Sequence, residues 1–170
     1  MVQQSGRAEL RAAFGWIGQH ELVLDVHQSQ HRAEQRRALP SEERQHAMMM
    51  VQYLLDNDLP VGIPGVDEVR NDFTSVRELV ELTLKQERAV TDQIAQLART
   101  ARDEGDYLGE QFVQWFLKEQ VEEVATVSTL LTVVERAGDN LFHVEDFVAR
   151  EMARPAGTDT TAPKAAGAAV

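Results

Sequence analysis

Two long segments of this chain each carry a glutamate in the middle of an apolar helical stripe, and that defect constrains the fold more than any other feature. A helix turns about 100° per residue, so positions three, four and seven apart share a face. In one segment Val76, Val80, Thr83, Val90, Thr91, Ile94, Ala98 and Ala101 project to one side, with Glu87 at the centre of the stripe. In the next, Phe112, Phe116, Val127, Leu130 and Val134 form a stripe centred on Glu123, with Glu119 and Gln120 at its margins. An unpaired charge at such a position costs several kcal/mol to bury.

The punctuation around these stripes predicts an all-α chain. Ser41, followed by Glu42 and Glu43, reads as an N-cap for a helix ending near Asp56. Pro60, Gly62, Pro64 and Gly65 interrupt it, and the stretch Leu59 to Phe73 is long enough to cross between two helices pointing the same way. Long helices are then expected from about Thr74 to Arg102 and from Tyr107 to Arg136, separated by the polar turn Asp103 to Asp106. Gly138 fits a stop, Asp139 or Asn140 a new cap, and Leu141 to Met152 a short last helix. Phe142, Val144, Phe147 and Val148 on so short an element predict burial against other subunits. The domain plan is therefore a divergent segment 1–40, a helical domain 41–152 and a flexible tail 153–170 rich in Ala, Thr, Gly and Pro.

Charge and composition exclude several functions. The 170 residues carry a formal charge of −11 and no Cys, which removes disulfides and thiolate metal sites. The acidity argues against nucleic-acid backbone binding and suits cations. Residues 1–40 hold five bases and four acids, so all the net acidity lies beyond them. The apolar stretch Val124 to Val134 is too short to span a membrane, and no signal peptide is evident. A cytoplasmic location is the expectation.

The carboxylates acquire a partner on the helix that begins near Ser41. Glu43 and His46 are three apart on the side that continues through Met49, Met50 and Tyr53, with Glu42 beside them. Three helices thus present acids near mid-face with few Lys or Arg to neutralise them, so a metal cation is the economical counter-charge. Mixed carboxylate and imidazole donors favour iron, manganese or zinc over calcium. The run Met48 to Met50 reads as packing rather than as a haem-ligand box. His27 and His31 have chelating spacing but no convincing helix around them, and His143 reads as a surface residue.

Four stretches resemble the bacterial non-haem ferritins, particularly the actinobacterial type. They are Glu42 to Met50 (EERQHAMMM), Ile63 to Val66 (IPGV), Gln86 to Gln93 (QERAVTDQ) and Gln114 to Glu123 (QWFLKEQVEE). The resemblance covers about residues 41–152. It implies a four-helix bundle with a long crossover and a short fifth helix. It also implies a di-iron ferroxidase centre without haem, in which O2 oxidises Fe(II) and Fe(III) mineral collects inside a shell of twenty-four subunits. In that likeness Glu43 bridges two irons, His46 binds one, and Glu87, Gln120 and Glu123 serve the other. Glu42, Glu119 and Glu122, with Glu123, match a third iron site. Asp103, Glu104, Asp106 and Glu110 fall where the family's cation-admitting pores lie.

Nothing in residues 1–40 matches the family's first helix, which supplies a carboxylate ligand and a tyrosine. Glu9 and Glu21 are the nearest candidates. The segment reads as a divergent replacement, or as the product of a frame shift or misplaced start. A non-catalytic or truncated ferritin-like subunit is the alternative function.

Overall fold

The computed structural model describes residues 38–63, 72–152 and 159–167, and every regular element among them is helical. They are α1 (Ala38–Asp56), α2 (Val76–Asp103), α3 (Tyr107–Ala137) and α4 (Leu141–Phe147), the last continuing into a π-helical turn, Val148–Met152. None is long and apolar enough to cross a membrane. The proposed ligand residues Glu9 and Glu21, the pair His27 and His31, and most of the divergent first segment lie outside the described residues, as do 64–71 of the crossover.

Local chemistry sets the helix ends. Ser75, in extended backbone, accepts from the Glu78 N–H, while the Glu78 carboxylate accepts from the Thr74 N–H and hydroxyl. This reciprocal cap starts α2 at Val76 rather than Thr74. At its other end the Asp106 N–H reaches the Ala101 carbonyl at 2.8 Å, with Gly105 in the left-handed region (φ 71°). Asp106 then caps α3 by accepting from the Gly109 N–H at 2.9 Å. A Cβ at 109 would crowd the Asp106 carboxylate out of this capping position, so glycine there suits the cap. A three-residue turn therefore folds α2 and α3 into a hairpin.

Ser41 is not a cap: α1 already includes Ala38. Pro40 is tolerated there because first-turn N–H groups have no intrahelical acceptor. Along α1, His46 meets Glu123 while Tyr53 stacks on Phe112, so α1 runs antiparallel to α3. The pairs Arg77 with Glu135 and Arg102 with Glu110 set α2 antiparallel to α3 as well. Helices α1 and α2 consequently point the same way, as a crossover between them requires.

The packing divides into two clusters. Met49, Met50, Val51 and Leu54 of α1 pack with Val90, Ile94 and Leu97 of α2 and with Val113 and Phe116 of α3. At the other end Val80, Leu130 and Val134 enclose Val144 of α4. That burial corrects the expectation for Val144, which is 7% exposed within its own chain; Phe147 and Val148 lean on the same cluster, and Phe142 is 81% exposed.

Residues 159–167, expected as part of a flexible tail, form a strap on the first cluster instead. Ala162, Ala165 and Ala166 pack against it, and the Ala166 N–H donates to the Met48 carbonyl at 2.9 Å. Small side chains let the strap backbone come close enough to make that bond.

Candidate metal centre

Helical spacing brings Glu43 and His46 together on α1, one turn apart, with His46 Nδ1 3.8 Å from Glu43 Oε2. Across the interface Glu123 Oε1 of α3 lies 4.0 Å from the same nitrogen. One ligand atom from each of the three falls within 4.8 Å of the others. Two donors on opposite sides of a first-row ion, at bonds of about 2.1 Å, stand about 4.2 Å apart, so an ion among these three needs only small side-chain movements. Two hard oxygens and a borderline nitrogen suit iron, manganese or zinc.

The cluster opens into a cavity walled by Met50, Val90 and Phe116 and lined also by Glu119 and Gln120. His46 is 8% exposed and held by ring edges: Trp115 at 5.4 Å and 77°, Phe116 at 5.9 Å and 82°. Trp115 is anchored in turn, its Nε1–H donating to Asp159 of the strap at 3.0 Å. The same carboxylate accepts from the Thr161 N–H and hydroxyl and faces Lys118 at 3.7 Å. The Thr161 bonds above all, then Trp115 and Lys118, hold Asp159 well below the usual carboxylate range.

The stripe on α3 is centred differently from the expectation. Gln120 is 4% exposed and occupies the buried line between Phe116 and Leu130, whereas Glu123 is only half-buried at the cavity's rim. At that rim Glu123 faces Glu43 and His46 of α1. Gln120 Nε2 donates to the Glu123 carboxylate, and its Oε1 accepts from the Thr91 hydroxyl of α2 at 2.9 Å.

The remaining expected ligands divide. Glu87 is 4% exposed on α2, one turn before Thr91, and stands outside the three-residue cluster. Glu119 is at the cavity. Burial pushes its carboxyl up, and the charges of Glu122 and Asp159 add to this against the opposing pull of Lys118 and His46. Glu122 is exposed, and the Glu42 side chain lies outside the described residues. Of the four acids at the α2–α3 turn, Asp106 is a cap and Glu110 is paired with Arg102. Sequence reasoning missed Trp115, Asp159 and Thr91 as supports. Trp115 and Thr91 left signals, each standing inside a quoted motif, whereas Asp159 left none.

The comparisons decide the family. The ferritin family, described as a ferritin-like domain, matches residues 19–137. The chain belongs to the ferritin family. Its ferritin match starts ahead of the Ser41 boundary drawn from the motifs and stops before α4. Ferritin BfrB of Mycolicibacterium smegmatis is 66% identical over 129 residues, 76% of this chain and 71% of that protein. Ferritin BfrB of Mycobacterium tuberculosis is 62% identical over 127 residues, 74% and 69% of the two chains. In fold, the ferritin also superposes on an open-pore ferritin of the hyperthermophilic archaeon Archaeoglobus fulgidus. That match has a TM-score of 0.74 and 21% identity, covering 90% of this chain and 98% of the archaeal one.

Proposed function

We propose that the chain is an iron-storage subunit. It takes Fe(II) as substrate, passes its electrons to O2 and delivers Fe(III) to a mineral inside a multisubunit cytoplasmic shell. What carries the reading is the cluster of Glu43, His46 and Glu123 from two helices within 4.8 Å, in a chain of the ferritin family. Carboxylates are hard anionic donors that bind Fe(III) more tightly than Fe(II), which favours oxidation at the site and disfavours its reversal.

In this reading Glu43 bridges two iron ions, His46 binds one, and Glu123 with Glu87 serves the other, Gln120 standing beside them. Two Fe(II) ions give up one electron each, and O2 takes both together with two protons from water, leaving as hydrogen peroxide. Apolar Met50, Val90 and Phe116 restrict water around the reacting ions. Glu42, Glu119 and Glu122 belong to a third iron site alongside. Phe142, largely exposed on α4, is a contact between subunits of the shell.

Aerobic addition of Fe(II), followed by the ultraviolet absorbance of ferric products, tests the chemistry. Oxidation above the protein-free rate, lost in Glu123→Ala and Glu87→Ala, is expected. No excess oxidation, and no change in either variant, leaves a binding-only helical subunit. Size-exclusion chromatography tests the shell, and a small monomer contradicts it.

A further inference from the structure

Thr91 lies on the apolar stripe of α2, one turn beyond Glu87, and its hydroxyl oxygen has two neighbours at the same distance: the Glu87 carbonyl at 2.9 Å and Gln120 Oε1 at 2.9 Å. A hydroxyl has one proton and donates to one of them at a time. The choice is made on the opposite helix. The Gln120 amide presents Nε2–H to the Glu123 carboxylate, and its oxygen is thereby turned back toward Thr91 on α2. Were the amide reversed, two oxygens would confront each other at Glu123, and Thr91 would have to accept from Nε2. The Glu87 carbonyl is already served by the helical N–H four residues on, within α2. Gln120 is 4% exposed, its oxygen has no such backbone donor among the described residues, and leaving it bare would cost about 1–3 kcal/mol. The Thr91 proton therefore goes to Gln120.

We propose that Thr91 is a positioning residue for the metal centre: by holding the Gln120 carbonyl, it makes Gln120 a hydrogen-bond donor that aims the Glu123 carboxylate, and withholds the amide oxygen from the metal. This deepens the proposed iron site and rests on it. It also separates Gln120 from the ligands with which the family resemblance groups it. The site then has carboxylates and one imidazole as donors, and the neutral amide acts only through Glu123. Without the Thr91 hydroxyl the amide is free to turn over, offering an oxygen to the ion and withdrawing its N–H from Glu123.

Cobalt(II), titrated into the full-length protein and followed by its visible absorption and by calorimetry, reads ligand geometry without any oxidation. Thr91→Val keeps the shape and removes the proton; Thr91→Ser restores it. Residues that orient metal ligands are worth about 10–100-fold in affinity, so Thr91→Val is expected to weaken cobalt binding about tenfold and alter the visible bands, and Thr91→Ser to return both to the parent values. Gln120→Leu should lose a similar factor in affinity, without the band change that a newly offered amide oxygen brings, and the double variant should behave as Gln120→Leu alone, because Thr91 acts only through Gln120. Parent-like binding and bands in Thr91→Val, no rescue by Thr91→Ser, or additive losses in the double variant would each overturn the proposal. If the parent binds cobalt and Glu123→Ala does not, such a result condemns the Thr91 role alone. If parent and Glu123→Ala fail to bind alike, the iron-site reading falls and takes this proposal with it.

Discussion

His46 and Glu123 face each other across 4.0 Å, yet the two sides of the centre are secured by different physics. Glu123 is steered by a hydrogen-bond relay confined to the α2–α3 hairpin, from Thr91 through Gln120. His46 is wedged between aromatic edges, and the outer ring, Trp115, is tied to Asp159, 44 residues further along the chain. The first arrangement is directional and local: it fails when one proton is lost but needs nothing beyond two helices. The second is shaped by contact area and tolerates small changes, but it depends on a strap whose own hold is a handful of bonds.

Removing a donor on either side of the centre has the largest effect. Glu43→Ala and Glu123→Ala should each weaken cobalt binding by more than about 100-fold, beyond the range seen for residues that merely orient ligands, and a titration checks this. Next comes Trp115→Ala, which deletes a half-buried ring against His46. Full burial of such a ring is worth about 3–5 kcal/mol, so a loss of about 2 kcal/mol in denaturant unfolding is expected, along with weaker cobalt binding on the His46 side.

A milder test cuts the tie and leaves the ring. Asp159→Ala should free the strap, seen as faster hydrogen exchange at the Ala166 amide now bonded to Met48, with the α2–α3 relay unaffected. The smallest effect is on pH. Asp159 has a lowered carboxyl pKa in the docked strap, so docking gains stability that is complete above the ordinary value of 3.8 and fades only as pH falls toward the depressed one. Ala166 protection should therefore persist down to pH 4. In Asp159→Asn, which has no such titration, the acid-dependent component of that protection should be absent.

The hairpin side was largely legible in the sequence. The polar turn Asp103 to Asp106 was placed because left-handed turns and caps restrict residue type locally, whereas the start of α2 was set two residues early, at Thr74, with Ser75 unread as its cap. Glu43, His46 and Glu123 could be nominated because charge on an apolar face demands a partner. The buried line of α3 runs through Gln120, one turn before the Glu123 on which the stripe was expected to centre. Gln120 and Glu123 are three apart and share a face, and only the placement of α1 decides which is buried and which meets the opening. Thr91 passed as a tolerated polar residue in a stripe, since a single hydroxyl shows its purpose only when its acceptor is known. The strap was illegible for a different reason. Its Ala and Thr composition promises little burial, and its docking relies on Asp159 and on alanines small enough to fit, neither of which produces a periodic signal.

The tie between Trp115 and Asp159 also gives the strap an optical reporter. Indole emission responds to the hydrogen bond at its Nε1 and to its exposure to water, and this indole holds Asp159 while its ring stands 5.4 Å from the His46 imidazole. One ring therefore senses the strap on one side and the metal-binding imidazole on the other, so a single fluorescence trace follows both.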